Sequence, residues 1–439
     1  MASEARTSVL PAPCAPDEAA HAFLSSLKRP SRLLIAISGG SDSTGLLLAL
    51  KQALDVGNFP HSLCAATIDH GLRPASADEA LSVQTLCQNL AIPHKILRWT
   101  GEKPKTGLSA AARSARYRLL AEAADMFGAD ALVTGHTLDD QVETIAMRAE
   151  RSHEGALGLS GMATATLYER RLWILRPFLQ TTRTAIRAFL ASAGHGWIDD
   201  PSNEDRRSER VRIRERLLEP DLAAIARAGE QRRDLSARAA TWIAGHAERV
   251  GEQVIRIRLE ATTSEPATEV MHALSVLSSI LGGRPHRPAT TALGRLAVQL
   301  ADSSDFALTL AGCVIVRRRQ ELFLTRERRG LLPLPLPAGE TRNWDGRYEI
   351  TNNSHTDALV VPGPAPEIAP DLPHRIRMAM QGNSPEIRPF AITEGADKPD
   401  LAITRRLSLF DPFLADFDLL LADEIARLLG REPAISCPV

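Results

Sequence analysis

The sequence predicts an α/β protein: a doubly wound parallel sheet, followed by a helical region and a small α+β C-terminal region. Three observations predict it. Short apolar runs of strand length alternate with longer helical patterns through the first half of the chain. The first strand ends in a glycine turn that opens directly into a helix. Past residue 200 the alternation stops, and Ala/Arg-rich helical stretches give way to short β-like pieces interrupted by proline.

Residues 1–30 read as a flexible lead with one short helix, Glu18 to Leu27. Leu33 to Ile37 is a strand, and Leu46, Leu47, Leu48 and Leu50 begin the helix after it. Leu63 to Ile68 is a strand. Ala75 to Leu90 is a helix, with Asp78 and Glu79 near its positive N-terminal end. His94 to Leu97 is a short strand. Ser109 to Phe127 is a long helix that stops at Gly128, a residue suited to a left-handed cap. Ala131 to Thr134 is a strand and Leu138 to Glu150 a helix. Leu172 to Leu175 is a further strand, and Thr181 to Ala193 a helix ending at Gly194. In repeated β–α units of this kind the ligand lies at the carboxyl ends of the strands.

Residues 210–250 read as helices, and 268–300 as two helical stretches around Gly282-Gly283. Leu308 to Leu324 reads as strand–turn–strand. Leu331 to Pro337 alternates leucine and proline, which is linker chemistry. Short β-like pieces follow at Trp344 to Ile350 and Val360-Val361, then a helix at Leu419 to Leu429. The expected organisation is an extension over 1–30, a catalytic domain over 31–215, a helical or α+β domain over 216–330 and a C-terminal domain over 331–439.

The 439 residues suit two or three domains, and 44% apolar content suffices for real cores. Aromatic residues make up 4%, so broad stacking on nucleic acid is not expected. No apolar run reaches membrane-spanning length, and Met1 to Pro30 lacks the continuous apolar stretch of a secretory signal. No membrane partner is therefore expected. The cysteines (Cys14, Cys64, Cys87, Cys313, Cys437) are odd in number, scattered and free of any Cys-x-x-Cys pair. That disfavours metal knuckles and a disulfide framework, and makes the reducing cytoplasm the expected compartment. A net charge of −1 gives no global field for nucleic acid. Arginine nevertheless concentrates in Arg206 to Arg216 and Arg317 to Arg329, which suits phosphate contacts. The first cluster also reads as a solvated helix face balanced by Glu204, Glu209, Glu215 and Glu219.

The turn after the first strand is Ser38-Gly39-Gly40-Ser41-Asp42-Ser43-Thr44. A glycine turn opening a helix presents free backbone N–H groups to an anion, and two glycines let phosphate oxygens approach. Neither Gly-x4-Gly-Lys-Ser/Thr nor Gly-x-Gly-x-x-Gly is present, which disfavours a Walker-type loop and dinucleotide binding. The Ser-Gly-Gly-x-Asp-Ser pattern resembles the pyrophosphate loop of ligases that split ATP to AMP and pyrophosphate.

Other polar groups gather after later strands. Asp69-His70-Gly71-Leu72-Arg73-Pro74 follows the second, and Gly135-His136-Thr137-Leu138-Asp139-Asp140-Gln141-Val142-Glu143-Thr144 follows the fourth. On a helix, His136, Asp140 and Glu143 would share one face, with Asp139 beside it. Such a set suits Mg²⁺ ligation, capture of a cationic substrate or removal of a proton from an amine. Ordinary helix capping accounts for Asp139 or Asp140 but poorly for the other two. Arg113 and Arg116, with Tyr117 one turn from Arg113, form a basic pair for a triphosphate or RNA phosphate. The alternative is surface arginines whose stems pack on Tyr117. Asp199 to Asp205 is turn chemistry with a helix cap at Ser202 or Asn203, and Arg210, Arg212 and Arg214 follow.

Together, over roughly residues 31–215, these motifs resemble the tRNA(Ile)-lysidine synthase family, within the pyrophosphate-loop ATPase fold. The pyrophosphate loop alone indicates a superfamily; Asp-His-Gly-Leu-Arg-Pro with the His136–Thr144 block is much more specific. Val211 stands where the family usually has Asn between arginines. The resemblance implies an enzyme that uses ATP and Mg²⁺ to adenylate the C2 oxygen of the wobble cytidine in a CAU-anticodon tRNA(Ile). The ε-amine of L-lysine then displaces AMP. It further implies that Ser38, Gly39, Gly40, Ser41, Asp42, Ser43 and Asp69 hold ATP, with Asp42 and Asp140 as metal ligands. Asp42, Asp139, Asp140, Glu143, His136 and Arg113 would form the catalytic group, and Arg116, Arg210, Arg212 and Arg214 would bind tRNA. A tRNA thiolase and a non-catalytic tRNA-binding protein are the rival readings. The oligomeric state stays open, a homodimer included.

Overall fold

The computed structural model describes residues 13–104, 106–150, 159–199, 221–259, 266–302, 304–389 and 400–439. The backbone divides into two units: one of residues 1–230 with 436–439, the other of residues 231–435.

In the first unit, strands β1 (Arg32–Ala36), β2 (Ser62–Asp69), β3 (His94–Arg98), β4 (Ala131–Thr134), β5 (Ala165–Tyr168) and β6 (Leu172–Leu175) run in the order β5-β6-β4-β1-β2-β3. All neighbours are parallel except β5 and β6. The register pairs Leu33 with Leu63 on one side and with Ala131 on the other. Buried Leu33, Leu34 and Ile35 leave no polar face on β1, as expected of a central parallel strand. Strand order reverses at β1, since β2 and β4 lie on opposite sides of it. The exits of β1 and β4 therefore adjoin at a topological switch point, where α/β sheets open a crevice.

The connecting helices are α2 (Ser41–Val56), α3 (Ser76–Asn89), α4 (Leu108–Phe127), α5 (Leu138–Glu150) and α6 (Arg183–Ser192). Gly128 ends α4 with φ +59°, the left-handed cap expected of it. The expected lead contains α1 (Pro16–Ser26), which packs on α2 and buries Ala20, Phe23 and Leu24. Strand β5 was not foreseen; Ala-Thr-Leu-Tyr is short and carries no turn signal of its own.

The second unit holds α7 (Leu222–His246) in large part, α8 (Thr268–Leu281), α9 (Thr290–Ala301), α10 (His374–Met380) and α11 (Leu419–Leu428). Its largest sheet comprises β7 (Ala247–Val250), β8 (Val254–Arg258), β9 (Ala307–Leu310), β10 (Cys313–Arg318) and β11 (Glu321–Arg326), antiparallel in the order β7-β8-β11-β10-β9. Val254, Val316 and Phe323 share a core with Ile376 and Met380 of α10, so segments 216–330 and 331–439 contribute to common packing. Two smaller sheets follow, β12 (Leu334–Leu336) with β15 (Ala358–Gly363) and β16 (Ser384–Pro389), and β13 (Thr341–Trp344) with β14 (Tyr348–Asn352) and β17 (Leu401–Arg405). The Leu–Pro alternation read as a linker contains β12, an edge strand with Leu336 buried, and edge strands tolerate proline.

Arg317 and Arg326 are buried rather than presented to phosphate. Arg317 donates to the carbonyls of Arg319 and Leu300, and Arg326 pairs with Asp345 at 2.8 Å. No described helix is long and apolar enough to cross a membrane. None of the five cysteines forms a disulfide.

Candidate active site

The glycine turn joins β1 to α2. Gly39 has φ +86°, and a Cβ there would stand 2.7 Å from Ile198 Cδ1, so neither backbone nor space admits a side chain. The turn is braced from both ends. Ile198 N–H donates to the Gly39 carbonyl at 2.9 Å. Ser43 Oγ accepts from Ser38 N–H at 3.1 Å and donates to the Gly40 carbonyl at 3.2 Å. Gly40 is the N-cap of α2, and the first N–H groups of a helix have no intrahelical partners.

Close backbone packing brings the exit of β4 to the same place. A Cβ on Gly135 would stand 2.8 Å from the Asp42 carbonyl oxygen, so only glycine lets β4 leave against the first turn of α2. Helix α5 begins at Leu138, and Thr137 caps it. Asp140 Oδ2 accepts from Thr137 N–H at 2.9 Å and from Thr137 Oγ1 at 3.0 Å. This corrects the shared helical face for His136 alone, since Asp140 and Glu143 both lie in α5, three residues apart. His136 precedes the helix, and its Nδ1 lies 2.9 Å from Thr134 Oγ1. Glu143, one turn into α5, is 2% exposed.

The residue at the centre is one the sequence did not single out. Arg183 Nε donates to Asp42 Oδ2 at 2.9 Å, and its Nη2 lies 3.6 Å from Asp140 Oδ1. Its backbone N–H donates to Asp139 Oδ2 at 2.8 Å. Asp42, Asp139 and Asp140 thus meet around one arginine contributed by α6. Helix α6 comes this close because Gly45 of α2 leaves room for Ile186, which a Cβ would overlap. A signal was available: a cation in the first turn of a helix opposes the macrodipole, so Arg183 is held there by something other than its helix. Burial raises the Asp42 pKa, and the pull of Arg183 does not fully offset it. Burial works against the charge on Arg183, but Asp42 and then Asp140 reverse that and leave its pKa raised.

Asp69 is used within its own turn. Its Oδ1 accepts from Gly71 N–H at 2.8 Å and from Ser76 Oγ at 2.7 Å, and Arg98 stands 3.4 Å from Oδ2. Burial opposes the charged form, but these donors outweigh it and hold the carboxyl below its usual range. In α4, the Arg113 guanidinium lies over the Tyr117 ring, 5.0 Å from its centroid. Burial, with the neighbouring charge of Arg113, lowers the pKa of Arg116. Burial and then Arg116 lower that of His70 in turn. The exit of β2 and the start of α4 therefore share a basic environment. Arg210, Arg212 and Arg214, with Ser202 and Asn203, lie outside the described residues.

Among the described residues, no three or more His, Cys, Asp and Glu side chains are grouped so as to hold a metal ion unaided. Asp42 and Asp140 offer two carboxylates, a number that suits a cation shared with phosphate.

Residues 16–221 match the family model described as the PP-loop domain. The tRNA(Ile)-lysidine synthase of Rhizobium meliloti (strain 1021) is 40% identical over 459 residues, spanning 96% of this chain and 97% of that protein. That of Mesorhizobium japonicum is 40% identical over 427 residues, spanning 92% and 93%. That of Brucella melitensis biotype 2 is 36% identical over 433 residues, spanning 92% and 96%. Among solved structures, the U34-tRNA thiolase NcsA from Methanococcus maripaludis aligns with TM-score 0.36 and 16% identity over 46% of this chain and 77% of that one.

Proposed function

This chain belongs to the tRNA(Ile)-lysidine synthase family, and we propose that it ligates L-lysine to C2 of the wobble cytidine in a CAU-anticodon tRNA(Ile). Membership of that family with a PP-loop domain makes it an ATP-using ligase. The observation that supports the site assignment is the meeting of a phosphate-type turn with Asp42, Asp139 and Asp140 at the exits of β1 and β4.

In the first step the cytidine O2 attacks the α-phosphorus of ATP, and pyrophosphate leaves. Free N–H groups at the start of α2 suit the departing phosphates. In the second step the lysine ε-amine attacks C2, AMP leaves with the oxygen, and the amine loses a proton. An ammonium is drawn to carboxylates, and Asp139, Asp140 and Glu143 are the candidates to capture it. His136 or one of these acids would take the proton. Arg113 would stabilise phosphate charge, and Arg116 would hold the anticodon backbone with Arg210, Arg212 and Arg214.

Mg²⁺ binds through one or two carboxylates together with substrate phosphates. Asp42 and Asp140 already turn one oxygen each toward a single cationic group, so the donor set fits. The ion would neutralise charge on the phosphates. In this reading residues 31–215 are the catalytic domain, the later segments contact tRNA, and the cytoplasm is the site of action. A thiolase reading finds no support in the thiols. Cys64, Cys87 and Cys313 are buried, and burial pushes them up to about 11, about 11 and about 12.

The test separates the two steps. Pyrophosphate release should require tRNA(Ile) and ATP but not lysine, whereas AMP release should require all three. AMP release independent of lysine would contradict the reading.

A further inference from the structure

We propose that Arg183 is a positioning residue that occupies the cation position between Asp42 and Asp140 until ATP arrives, so that a divalent cation enters only together with the phosphates. The proposal rests on the reading that Asp42 and Asp140 hold that cation.

The carboxylates are arranged alike. Asp42 Oδ1 accepts from Ser41 Oγ at 2.9 Å, and Asp140 Oδ2 accepts from Thr137 N–H at 2.9 Å. Each acid thus commits one oxygen near its own helix start and turns the other, Asp42 Oδ2 or Asp140 Oδ1, to Arg183. The oxygens facing the guanidinium are those a metal ion would use. The three side chains are only 19–22% exposed, so solvent screens the acids weakly and a cation between them relieves their repulsion.

The guanidinium has no part in building its helix. Thr182 Oγ1 caps α6 by accepting from Ala185 N–H at 3.1 Å, and Asp139 holds the Arg183 backbone N–H. Both contacts are independent of the side chain at 183, proline excepted. The two guanidinium contacts are also unequal, 2.9 Å to Asp42 and 3.6 Å to Asp140, so the Asp140 side is the weaker. Incoming phosphate offers a planar guanidinium paired acceptors, a geometry arginine favours. The residue can then leave Asp140 without losing its charge partners.

The test is a Mn²⁺ titration of the full-length protein followed by electron paramagnetic resonance, without nucleotide and with a non-hydrolysable ATP analogue. Without nucleotide, Arg183→Gln should bind Mn²⁺ about tenfold or more tighter than wild type, because a competing charge a few ångström away has gone. Arg183→Lys keeps the charge and should return toward wild type. The analogue adds phosphate ligands in both proteins, so it should tighten Mn²⁺ binding in both, and by a larger factor in wild type, where it also draws Arg183 away. Equal wild-type and Arg183→Gln affinities without nucleotide would overturn the proposal, as would Arg183→Lys binding as tightly as Arg183→Gln. Should Arg183→Gln fail to fold, wild type alone decides: no gain in Mn²⁺ affinity on adding the analogue overturns the proposal. Asp42→Asn and Asp140→Asn separate the two layers. If both leave binding with the analogue unchanged, the metal assignment fails and the proposal falls with it. If they weaken it while Arg183→Gln matches wild type, only the proposal fails.

Discussion

Arg183 Nε donates to Asp42 Oδ2 at 2.9 Å, joining residues 141 positions apart. The contact ties the start of α6 to the turn after β1 and gathers the acids of α5 around it.

Asp42→Asn should abolish pyrophosphate release, with a loss of about 100-fold or more, while the protein stays folded. The change is nearly isosteric, and Arg183 keeps Asp140 as a partner. A pyrophosphate-release assay beside a thermal melt checks this; a folded variant with the wild-type rate would remove Asp42 from the chemistry.

Asp140→Asn and Glu143→Gln should disturb the use of lysine more than the binding of ATP. The measurement is the lysine concentration dependence at saturating ATP, where each half-saturation point should rise by about tenfold or more. Asp140→Ala is a poorer probe, since it also removes the acid of the Thr137 cap, worth about 1 kcal/mol. Wild-type lysine curves in both variants would place the ammonium elsewhere.

Replacing all five cysteines by alanine should leave lysidine formation largely intact, at some cost in stability where Cys64, Cys87 and Cys313 fill the core. At pH 8 the native protein should show fast thiol reactivity at no residue other than Cys14 and Cys437, because burial holds the other three protonated. Catalytic collapse in a folded, cysteine-free variant would revive a sulfur-transfer reading.

His272 supplies a pH dependence in the second unit. It is 6% exposed, and burial, then the charge of Arg287, pulls it down to about 3. The unfolded chain therefore takes up a proton below about pH 6.5 that the native state refuses. Stability from this group is complete above that pH and falls as pH drops toward 3, by about 1.4 kcal/mol per unit. In melts between pH 7 and pH 4.5, His272→Gln should flatten the decline; an unchanged slope would mean that His272 protonates freely in the fold.

Arg210 and Arg214, taken from the sequence alone, should contact tRNA. Changing both to Gln should weaken tRNA binding and lower its log–log salt slope by about one to two, since each phosphate contact releases roughly one counterion. ATP binding should be spared. An unchanged slope and affinity would leave them as a solvated helix face paired with Glu209 and Glu215.

The parallel sheet was legible because β1, β2 and β4 are short, mostly apolar runs and helices between them carry their own punctuation, such as Gly57 after α2 and Gly128 after α4. The site was legible wherever a motif follows a strand, as at Asp42 and Asp139-Asp140. Arg183 was not, because its partners are distant in sequence and its own neighbourhood reads as an ordinary helix start. Asp69 stands at a strand end as well, and its contacts with Gly71, Ser76 and Arg98 are a local network that motif spacing does not disclose. Arg317 and Arg326 read as a basic patch because spacing along a chain does not reveal which arginines turn inward.

The most direct measurement is mass analysis of tRNA(Ile) nucleosides after incubation with the protein, ATP, Mg²⁺ and L-lysine. The account predicts that the wobble cytidine of the CAU anticodon gains the mass of lysine less one water, and that omitting lysine or ATP abolishes the gain. An unmodified cytidine with active, folded protein would contradict it, as would a mass shift corresponding to sulfur in place of oxygen.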